Sequence, residues 1–261
     1  MDEAKVLEVT KKLAVAAGKE IMKVYETDFT VDYKEDHSPL TMADRNANEV
    51  IVSGLKKAFP SCAILSEEEK DDLSRREKEY CFIVDPLDGT KEFVNRNGQF
   101  TVNIALTRKG MPVTGVIYVP VTKELYYAGV NVGAFKVCET LDEIRLHVTD
   151  KCKELVVVGS RSHATKEEQE LLAAHKAVIA ETLSAGSSIK GCMVAEGMAD
   201  VYYRFGPTCE WDTAAMHCIA QCAGAQIGQL DGTPLTYNRE NTLNAKGFYI
   251  VNRKENVWLK Q

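Results

Sequence analysis

The sequence lacks an excess of positive charge: 32 Lys and Arg residues stand against 38 Asp and Glu residues, for a formal net charge of −6. This balance provides no basic field for wrapping a nucleic-acid backbone, so a small anionic ligand would need a metal ion or a few local cations. No apolar stretch approaches the roughly 20 residues of a membrane-spanning helix. Acids stand at Asp2 and Glu3, where a secretory signal has a basic segment. We therefore expect a cytoplasmic protein, with peripheral association with the inner membrane left open.

The sequence also lacks a Cys-x-x-Cys pair, although it contains 8 cysteines. Most of them lie in apolar runs, where thiols pack as small hydrophobic groups rather than forming a disulfide framework. Cys218 and Cys222 are one helical turn apart beside His217, but no clear fourth ligand accompanies them. Core packing explains these cysteines better than a soft-metal site does.

Apolar side chains at steps of three and four predict an amphipathic helix in residues 1–25. A polar loop at 32–39 follows. Thr41 and Asp44 then fit a capping box at the start of a second helix, 41–58.

The chain contains no internal repeat or low-complexity linker, and its full length allows one large domain or two modest ones. A meander of strands is expected first, and strands and helices alternate from about residue 150. We expect two closely packed αβ subdomains, 1–150 and 151–261, with a soft boundary. The predicted strands are 63–65, 80–84, 100–107, 113–119, 124–128, 134–137, 155–158, 178–181, 199–203 and 247–251. The predicted helices of the second half are 166–174, 187–195 and 212–222.

The most informative segment is Val-Asp-Pro-Leu-Asp-Gly-Thr-Lys-Glu-Phe at 84–93. It follows an apolar run typical of a buried strand and brings Asp85 and Asp88 around a proline into a tight turn. Gly89 allows the backbone to bend, and Thr90 offers a hydroxyl where a helix can begin. Carboxylate oxygens suit hard cations, and free amides at a helix start suit phosphate. The segment predicts metal-dependent phosphate chemistry, with an ordinary solvated turn as the alternative.

Four acids lie at predicted ends of strands or starts of helices: Glu67, Asp85, Asp88 and Asp212. Side chains from such ends can converge on one crevice, and two divalent ions about 4 Å apart need several carboxylates. Taken singly, these acids have simpler explanations. Glu67 heads a charge run that solvent can cover, Asp212 can be a helix N-cap, and Asp44 can merely complete its capping box. Taken together, they predict a two-metal centre.

The segment 186–191 has the glycine spacing of a P-loop. Cys192 and Met193 follow it, where that motif requires Lys and then Ser or Thr. A nucleoside-triphosphatase function is therefore excluded. Ser187 can instead cap a helix that carries Lys190 one turn in.

In order and spacing, these motifs resemble those of the inositol monophosphatase superfamily of lithium-sensitive, magnesium-dependent phosphatases, and more narrowly its 3'(2'),5'-bisphosphate nucleotidases. The resemblance covers nearly the whole chain. The motifs are SPLTxAD at 38–44, SEE at 66–68, DPLDGTKEF at 85–93, RNG at 96–98, SRSH at 160–163, GSSxK at 186–190, RFGPT at 204–208 and WDTAA at 211–215.

The resemblance implies an α+β fold, a layered αβαβα sandwich with the metal site between its halves. It implies two or three Mg²⁺ ions, with most ligands in the first subdomain and the last in the second. The implied ligands are the carboxylates of Glu67, Asp85, Asp88 and Asp212 and the carbonyl of Leu87. Thr90 is expected to orient the attacking water with Glu67, and Asp44 to help hold a third, weaker metal.

The resemblance also implies the substrate, because inositol monophosphatases typically carry Thr-Asn-Phe where this chain has Lys91-Glu92-Phe93. The expected reaction is hydrolysis of adenosine 3',5'-bisphosphate to AMP, with the sulfated nucleotide as a further substrate. The implied substrate-binding residues are Gly89, Thr90, His163, Ser187, Lys190, Arg204 and Asp212. Their alternatives are surface charge for Lys190 and Arg204 and a loop cap for His163. An inositol or sugar phosphatase and a noncatalytic nucleotide-binding regulator are the rival functions, and a monomer or homodimer is expected.

Overall fold

The computed structural model describes residues 1–33, 39–71, 73–140, 142–161 and 165–259, which form helices and strands in three sheets. The helices are α1 (Glu3–Tyr25), α2 (Met42–Ala58), α3 (Thr90–Val94), α4 (Lys166–Ala174), α5 (Ile189–Ala195) and α6 (Glu210–Cys222). The strands are β1 (Asp32–Tyr33), β2 (Pro39–Leu40), β3 (Ala63–Ser66), β4 (Tyr80–Asp88), β5 (Thr101–Arg108), β6 (Met111–Val119), β7 (Glu124–Gly129), β8 (Gly133–Val137), β9 (Glu143–Arg145), β10 (Leu155–Ser160), β11 (Ile179–Ala185), β12 (Val201–Arg204), β13 (Gln226–Gln229) and β14 (Phe248–Val251). Short 3₁₀ turns lie at Ser74–Glu77, Lys176–Val178 and Lys254–Asn256.

The first large sheet has the strand order β3-β4-β5-β6-β7-β8-β9. Only its first pair, β3 with β4, is parallel, and the remaining pairs are antiparallel neighbours in sequence, which confirms the predicted meander. β4 runs four residues beyond its predicted end. Its pairing with β5 becomes irregular between Asp85 and Asp88, so the two acids lie where the strand distorts at its end.

The second large sheet has the order β11-β10-β12-β14-β13 and mixes directions. β10 is parallel to both β11 and β12, whereas β14 is antiparallel to β12 and β13. A separate ribbon pairs β1 with β2.

The helices cover these sheets in layers. α1 and α2 pack together on one face of the seven-stranded sheet, α5 and α6 lie between the two large sheets, and α4 packs on the far face of the five-stranded sheet. The predicted αβαβα sandwich is therefore confirmed. α6 approaches β6 so closely that a Cβ added to Gly115 would lie 2.5 Å from the Ala215 carbonyl oxygen. This contact fixes the helix that carries Asp212 against the sheet that carries Asp85.

The differences from the predicted elements have local causes. β9 is 3 residues long and exposed along its whole length, too short to give a pattern in the sequence, and β13 is defined by its pairing with β14 rather than by its composition. β1 and β2 border the expected polar loop at 32–39. α6 begins at Glu210, two residues before its predicted start, and α5 begins at Ile189, two residues after its predicted start. The division at residue 150 stays a prediction.

The 8 cysteines, which all lie in the described ranges, are free thiols. Cys81, Cys192 and Cys218 are buried, as core packing requires, while Cys152 is exposed. Among the described helices, none has both the length and the apolar character needed to cross a membrane.

Candidate active site

The site begins at the end of β4. Asp85 is buried, and its Oδ1 accepts a hydrogen bond from the amide of Leu87 at 3.0 Å, which closes the turn around the proline. Gly89 follows with a φ of +88°, a left-handed conformation that favours glycine, and α3 begins at the next residue. The turn thus presents Asp85, Asp88 and the start of α3 to the same side.

Three carboxylates meet there. Asp85, Asp88 and Asp212 each place an oxygen within 4.8 Å of the others. Asp212 comes from the first turn of α6, where its Oδ2 accepts from the amide of Cys209 at 2.5 Å. It is therefore both a helix-capping residue and a member of the cluster.

Negative charge is concentrated in this cluster. Burial raises the pKa of Asp85 well above its ordinary value, and the carboxylates of Glu67, Asp88 and Asp212 raise it further. Burial, followed by the charge of Asp88, raises the pKa of Asp212 to about 8. Glu67 is not among the three acids whose oxygens lie within 4.8 Å of one another, but it lines the same cleft as Asp88 and Asp212.

These donors fit a magnesium ion. They are all hard oxygen ligands, and the repulsion that raises the pKa of Asp85 is what a divalent cation offsets. The Leu87 carbonyl oxygen, which belongs to the turn between Asp85 and Asp88, lies 3.3 Å from Thr90 Oγ1.

Thr90 connects this cluster to α2. Its Oγ1 lies 3.2 Å from Asp44 Oδ1 as well as near the Leu87 carbonyl. The N-cap of α3 is Gly89, so the Thr90 hydroxyl does not cap that helix as the sequence had suggested. Asp44 Oδ2 accepts from both the amide and the hydroxyl of Thr41 at 2.7 Å. Asp44 therefore completes its capping box with one oxygen and meets Thr90 with the other.

Two residues that hold Asp88 were not predicted as site residues. Asp88 Oδ2 accepts from Ser188 through its amide at 2.6 Å and its hydroxyl at 2.8 Å, and from Asn103 Nδ2 at 3.2 Å. Ser188 Oγ also lies 2.8 Å from the Asp212 carbonyl oxygen. Ser188 thus joins the two ligand-bearing segments. The only sequence signal for it is its place in the GSSxK motif.

The cluster opens into a cleft of about 590 Å³. Most of the residues predicted to bind metal or substrate line it, and His163 lies outside the described residues. The lining includes Glu67, Asp88, Gly89, Thr90, Lys91, Glu92, Ser187, Lys190, Tyr202, Arg204 and Asp212.

The same cleft is also lined by buried cations. Lys190 and Arg204 are 5% and 7% exposed, so neither is a surface charge. Lys190 Nζ donates to the carbonyl oxygens of Ser187 at 2.6 Å and Ala185 at 3.3 Å, and burial lowers the pKa of Lys190 to about 8.

Ser187 has a backbone conformation that is uncommon outside glycine. Its φ is +45°, and its Oγ is buried with no hydrogen-bond partner among the described residues. The preceding Gly186 is packed so tightly that an added Cβ would lie 2.7 Å from the carbonyl oxygen of Gln99. Such strained positions are concentrated at functional sites.

Comparison with known proteins agrees with this geometry. The model of the inositol monophosphatase family matches residues 2–258, and the chain belongs to that family, whose enzymes are metal-dependent phosphatases. It is 46% identical over 249 residues to the 3'(2'),5'-bisphosphate nucleotidase CysQ of Salmonella typhimurium, covering 94% of this chain and 99% of the relative. The Escherichia coli K12 protein of the same name is 45% identical over 243 residues, or 92% of this chain and 96% of that one. The crystal structure of CysQ from Bacteroides thetaiotaomicron superimposes with a TM-score of 0.81 at 44% identity, over 93% of this chain and 95% of that chain.

Proposed function

We propose that this protein is a magnesium-dependent 3'(2'),5'-bisphosphate nucleotidase that removes the 3'-phosphate of adenosine 3',5'-bisphosphate and releases AMP and phosphate. The observation that carries the proposal is the shared cleft, which is lined both by acids of the carboxylate cluster and by the buried Lys190 and Arg204. A substrate with two anionic groups suits this combination, because metal ions held by the acids would take one group and the cations the other. The similarity to relatives named for this activity supports it, and the sulfated nucleotide is a further candidate substrate.

The metal-binding residues are proposed from the cluster. Two or three Mg²⁺ ions, when bound, would supply activation of water and offset the charge on the leaving oxygen. The residues that would hold them are Glu67, Asp85, Asp88 and Asp212, with the Leu87 carbonyl, and Asp44 would help to hold the third.

Thr90 and Glu67 are the proposed catalytic residues. Since the Thr90 hydroxyl donates its proton to Asp44 or to the Leu87 carbonyl, its oxygen lone pairs can accept a hydrogen bond from water. Thr90, together with Glu67, would therefore orient the attacking water in line with the 3'-phosphorus. Gly89 and Thr90 line the cleft, and their amides would face the phosphate.

The nucleotide-binding residues are proposed to be Ser187, Lys190 and Arg204, with His163 assigned from the sequence motif alone. An ammonium group has three donors, and two of those of Lys190 are used by the carbonyls of Ala185 and Ser187. The third is available to an anion in the cleft. The Ser187 hydroxyl can likewise bond to a ligand there.

The direct test is phosphate release in the presence of Mg²⁺ from adenosine 3',5'-bisphosphate, with inositol 1-phosphate assayed in parallel. We expect a strong preference for the nucleotide. A preference for inositol phosphate would preserve the proposed metal site but reject the nucleotide pocket. Binding of the bisphosphate without phosphate release would instead indicate a noncatalytic regulator.

Two further expectations stay predictions. Cell fractionation would test the cytoplasmic location against peripheral membrane association. Analytical ultracentrifugation would distinguish a monomer from a homodimer.

A further inference from the structure

A buried glutamate anchors a loop against the start of α6. Glu210 is fully buried and lies two residues before Asp212. Its Oε2 accepts from the amide of Asn238 at 2.6 Å, and its Oε1 accepts from the amide of Arg239 at 2.9 Å and from Arg239 Nε at 3.1 Å. The Glu210 amide in turn donates to the Thr242 carbonyl at 2.9 Å. The 238–244 loop is thereby fixed to the helix turn that carries Asp212.

Arg75 ties the same loop to the segment that follows Glu67. Arg75 is 3% exposed, and it donates from Nη1 to Asn238 Oδ1 at 2.7 Å and from Nη2 to the Arg239 carbonyl at 2.8 Å. Asn238 Nδ2 returns a bond to the Arg75 carbonyl at 3.2 Å. The guanidinium also makes a bidentate pair with Asp71, with Nε at 3.1 Å and Nη2 at 2.7 Å. Charge-assisted bidentate pairs of this kind impose a fixed geometry.

The segment that Arg75 holds is also attached to α2 beside Glu67. Ser66 Oγ donates to Asn48 Oδ1 at 2.6 Å, and Asn48 Nδ2 donates to Glu69 Oε1 at 3.2 Å. These bonds tie the segment to α2, whereas the Arg75 contacts tie it to the loop that Glu210 anchors on α6.

β3 is the outermost strand of its sheet and pairs with β4 alone. Beyond β3, the Glu67 amide bonds to the Val84 carbonyl at 3.2 Å. A cavity of about 370 Å³, lined in part by Glu67, Asp71, Trp211 and Thr242, then separates the segment from the 238–244 loop. The Arg75 contacts with Asn238 and Arg239 connect the segment to the loop directly.

We infer that Arg75 is a positioning residue that sets the separation of Glu67 from Asp212 by fastening the Glu67 segment to the loop that Glu210 anchors. Neither Arg75 nor its partner Asp71 belongs to the carboxylate cluster. The inference rests on the proposed function, which makes the carboxylate cluster a metal-binding site. It adds a determinant of divalent-cation affinity that lies outside the cluster.

The chain offers a matched control for Arg75. Arg76 is the next residue and reaches the same loop, with Nη1 at 3.2 Å from Glu240 Oε2. Both side chains of that pair are exposed, and exposed pairs contribute little. Arg75→Met and Arg76→Met therefore remove the same charge from neighbouring positions, and only the first breaks the buried connection. Asp71→Asn is a milder second variant, because it keeps the side-chain shape while weakening the bidentate pair.

The experiment measures Mg²⁺ binding to the full chain by isothermal titration calorimetry, alongside the Mg²⁺ dependence of phosphate release. Changes to residues that orient metal ligands typically cost about 10- to 100-fold in metal affinity. We expect a rise of about 10-fold in the dissociation constant for Mg²⁺ in Arg75→Met, a smaller rise in Asp71→Asn, and none in Arg76→Met. The KM for the nucleotide at saturating Mg²⁺ should stay unchanged.

Wild-type Mg²⁺ affinity in folded Arg75→Met and Asp71→Asn would overturn the inference. So would loss of the fold in both variants, because it would make Arg75 a general structural residue, and so would a raised KM with unchanged Mg²⁺ binding. If the wild-type protein binds Mg²⁺ but releases no phosphate from the bisphosphate, the proposed function fails while the binding comparison still tests Arg75.

Discussion

Thr90 Oγ1 lies 3.2 Å from Asp44 Oδ1, although the two residues are 46 positions apart. Asp44 is buried, and its other carboxylate oxygen is bound by the amide and hydroxyl of Thr41 at the start of α2. The Asp44 carboxylate therefore cannot rotate without breaking its capping box. Asp44 Oδ1 and the Leu87 carbonyl oxygen thus offer the Thr90 hydroxyl two acceptors for its proton, which leaves the lone pairs of the Thr90 oxygen able to accept from a water molecule.

Thr90→Val should lower kcat by about 100-fold, since valine keeps the shape of the side chain but cannot orient the water. KM should change little. Steady-state phosphate release measures both parameters, and circular dichroism checks the fold. Thr90→Ser, which keeps the hydroxyl, should retain most of the activity. Full turnover by Thr90→Val would show that the hydroxyl has no catalytic role.

Asp88→Asn should abolish turnover while the fold survives. The amide oxygen of asparagine can still accept from Ser188 and Asn103, so the local structure keeps its main contacts. The loss of one negative charge, however, removes a ligand that Mg²⁺ needs.

The same assay and a thermal melt test Asp88→Asn. Asp231→Asn is the matched control, because Asp231 is paired with Lys246 on the surface. It should behave as the wild type does. Retained activity in Asp88→Asn would exclude Asp88 as an essential metal ligand.

The sequence was sufficient to predict that the acids converge. Asp85 and Asp88 follow an apolar run and surround a proline, and Asp212 stands in the first turn of an apolar helix, so each has a local signal for an element end. The contact between Ser188 and Asp88 has no such signal. It joins residues 100 positions apart, and either residue alone is fully explained by its own turn.

The Arg75 connection was hidden for a related reason. The acidic run after Glu67 has the composition of a solvated loop, and nothing in it indicates that Asp71 pairs with an arginine that the fold buries. In the same way, β4 was predictable from its apolar residues, whereas β13 depends on partner residues 19 to 25 positions later. Elements defined by long-range pairing are the ones that local pattern misses.

Stability should depend on pH through His217. His217 is buried, its Nδ1 lies 2.9 Å from the Tyr237 hydroxyl, and burial lowers its pKa from 6.5 to about 4. Below pH 6.5 the unfolded chain binds a proton at His217 that the folded chain does not bind, so the free energy of unfolding falls as the pH drops towards 4. For these two pKa values the free energy of unfolding is about 2 kcal/mol lower at pH 5 than at pH 7.5.

Urea denaturation at pH 7.5 and pH 5 measures this loss. Asparagine can place an amide near the position of Nδ1 but does not titrate, so His217→Asn should lose about 2 kcal/mol less than the wild type over this range. Equal losses in the two proteins would mean that His217 is not held neutral by the fold.

Lys91 should contribute to the preference for a doubly anionic substrate. It is exposed on the wall of the cleft, next to the turn of Gly89 and Thr90, where its long side chain can approach a bound anion. Hydrogen bonds to charged groups are worth about 1.5–3 kcal/mol, which corresponds to at least a 10-fold change in affinity. Lys91→Thr introduces the residue typical of inositol monophosphatases. It should lower kcat/KM for adenosine 3',5'-bisphosphate by about 10-fold while leaving that for adenosine 3'-monophosphate nearly unchanged.

The comparison of the two nucleotides isolates the second phosphate, because both substrates carry the same scissile group. Lys12→Thr controls for loss of surface charge, since Lys12 is an exposed residue of α1 that pairs with Glu8. An equal fall in kcat/KM for both nucleotides in Lys91→Thr would indicate that Lys91 contacts the reacting phosphate instead. If kcat/KM for both nucleotides and the ratio between them stayed unchanged, the preference would depend on Lys190 and Arg204, whose burial makes these cations less accessible to competing salt.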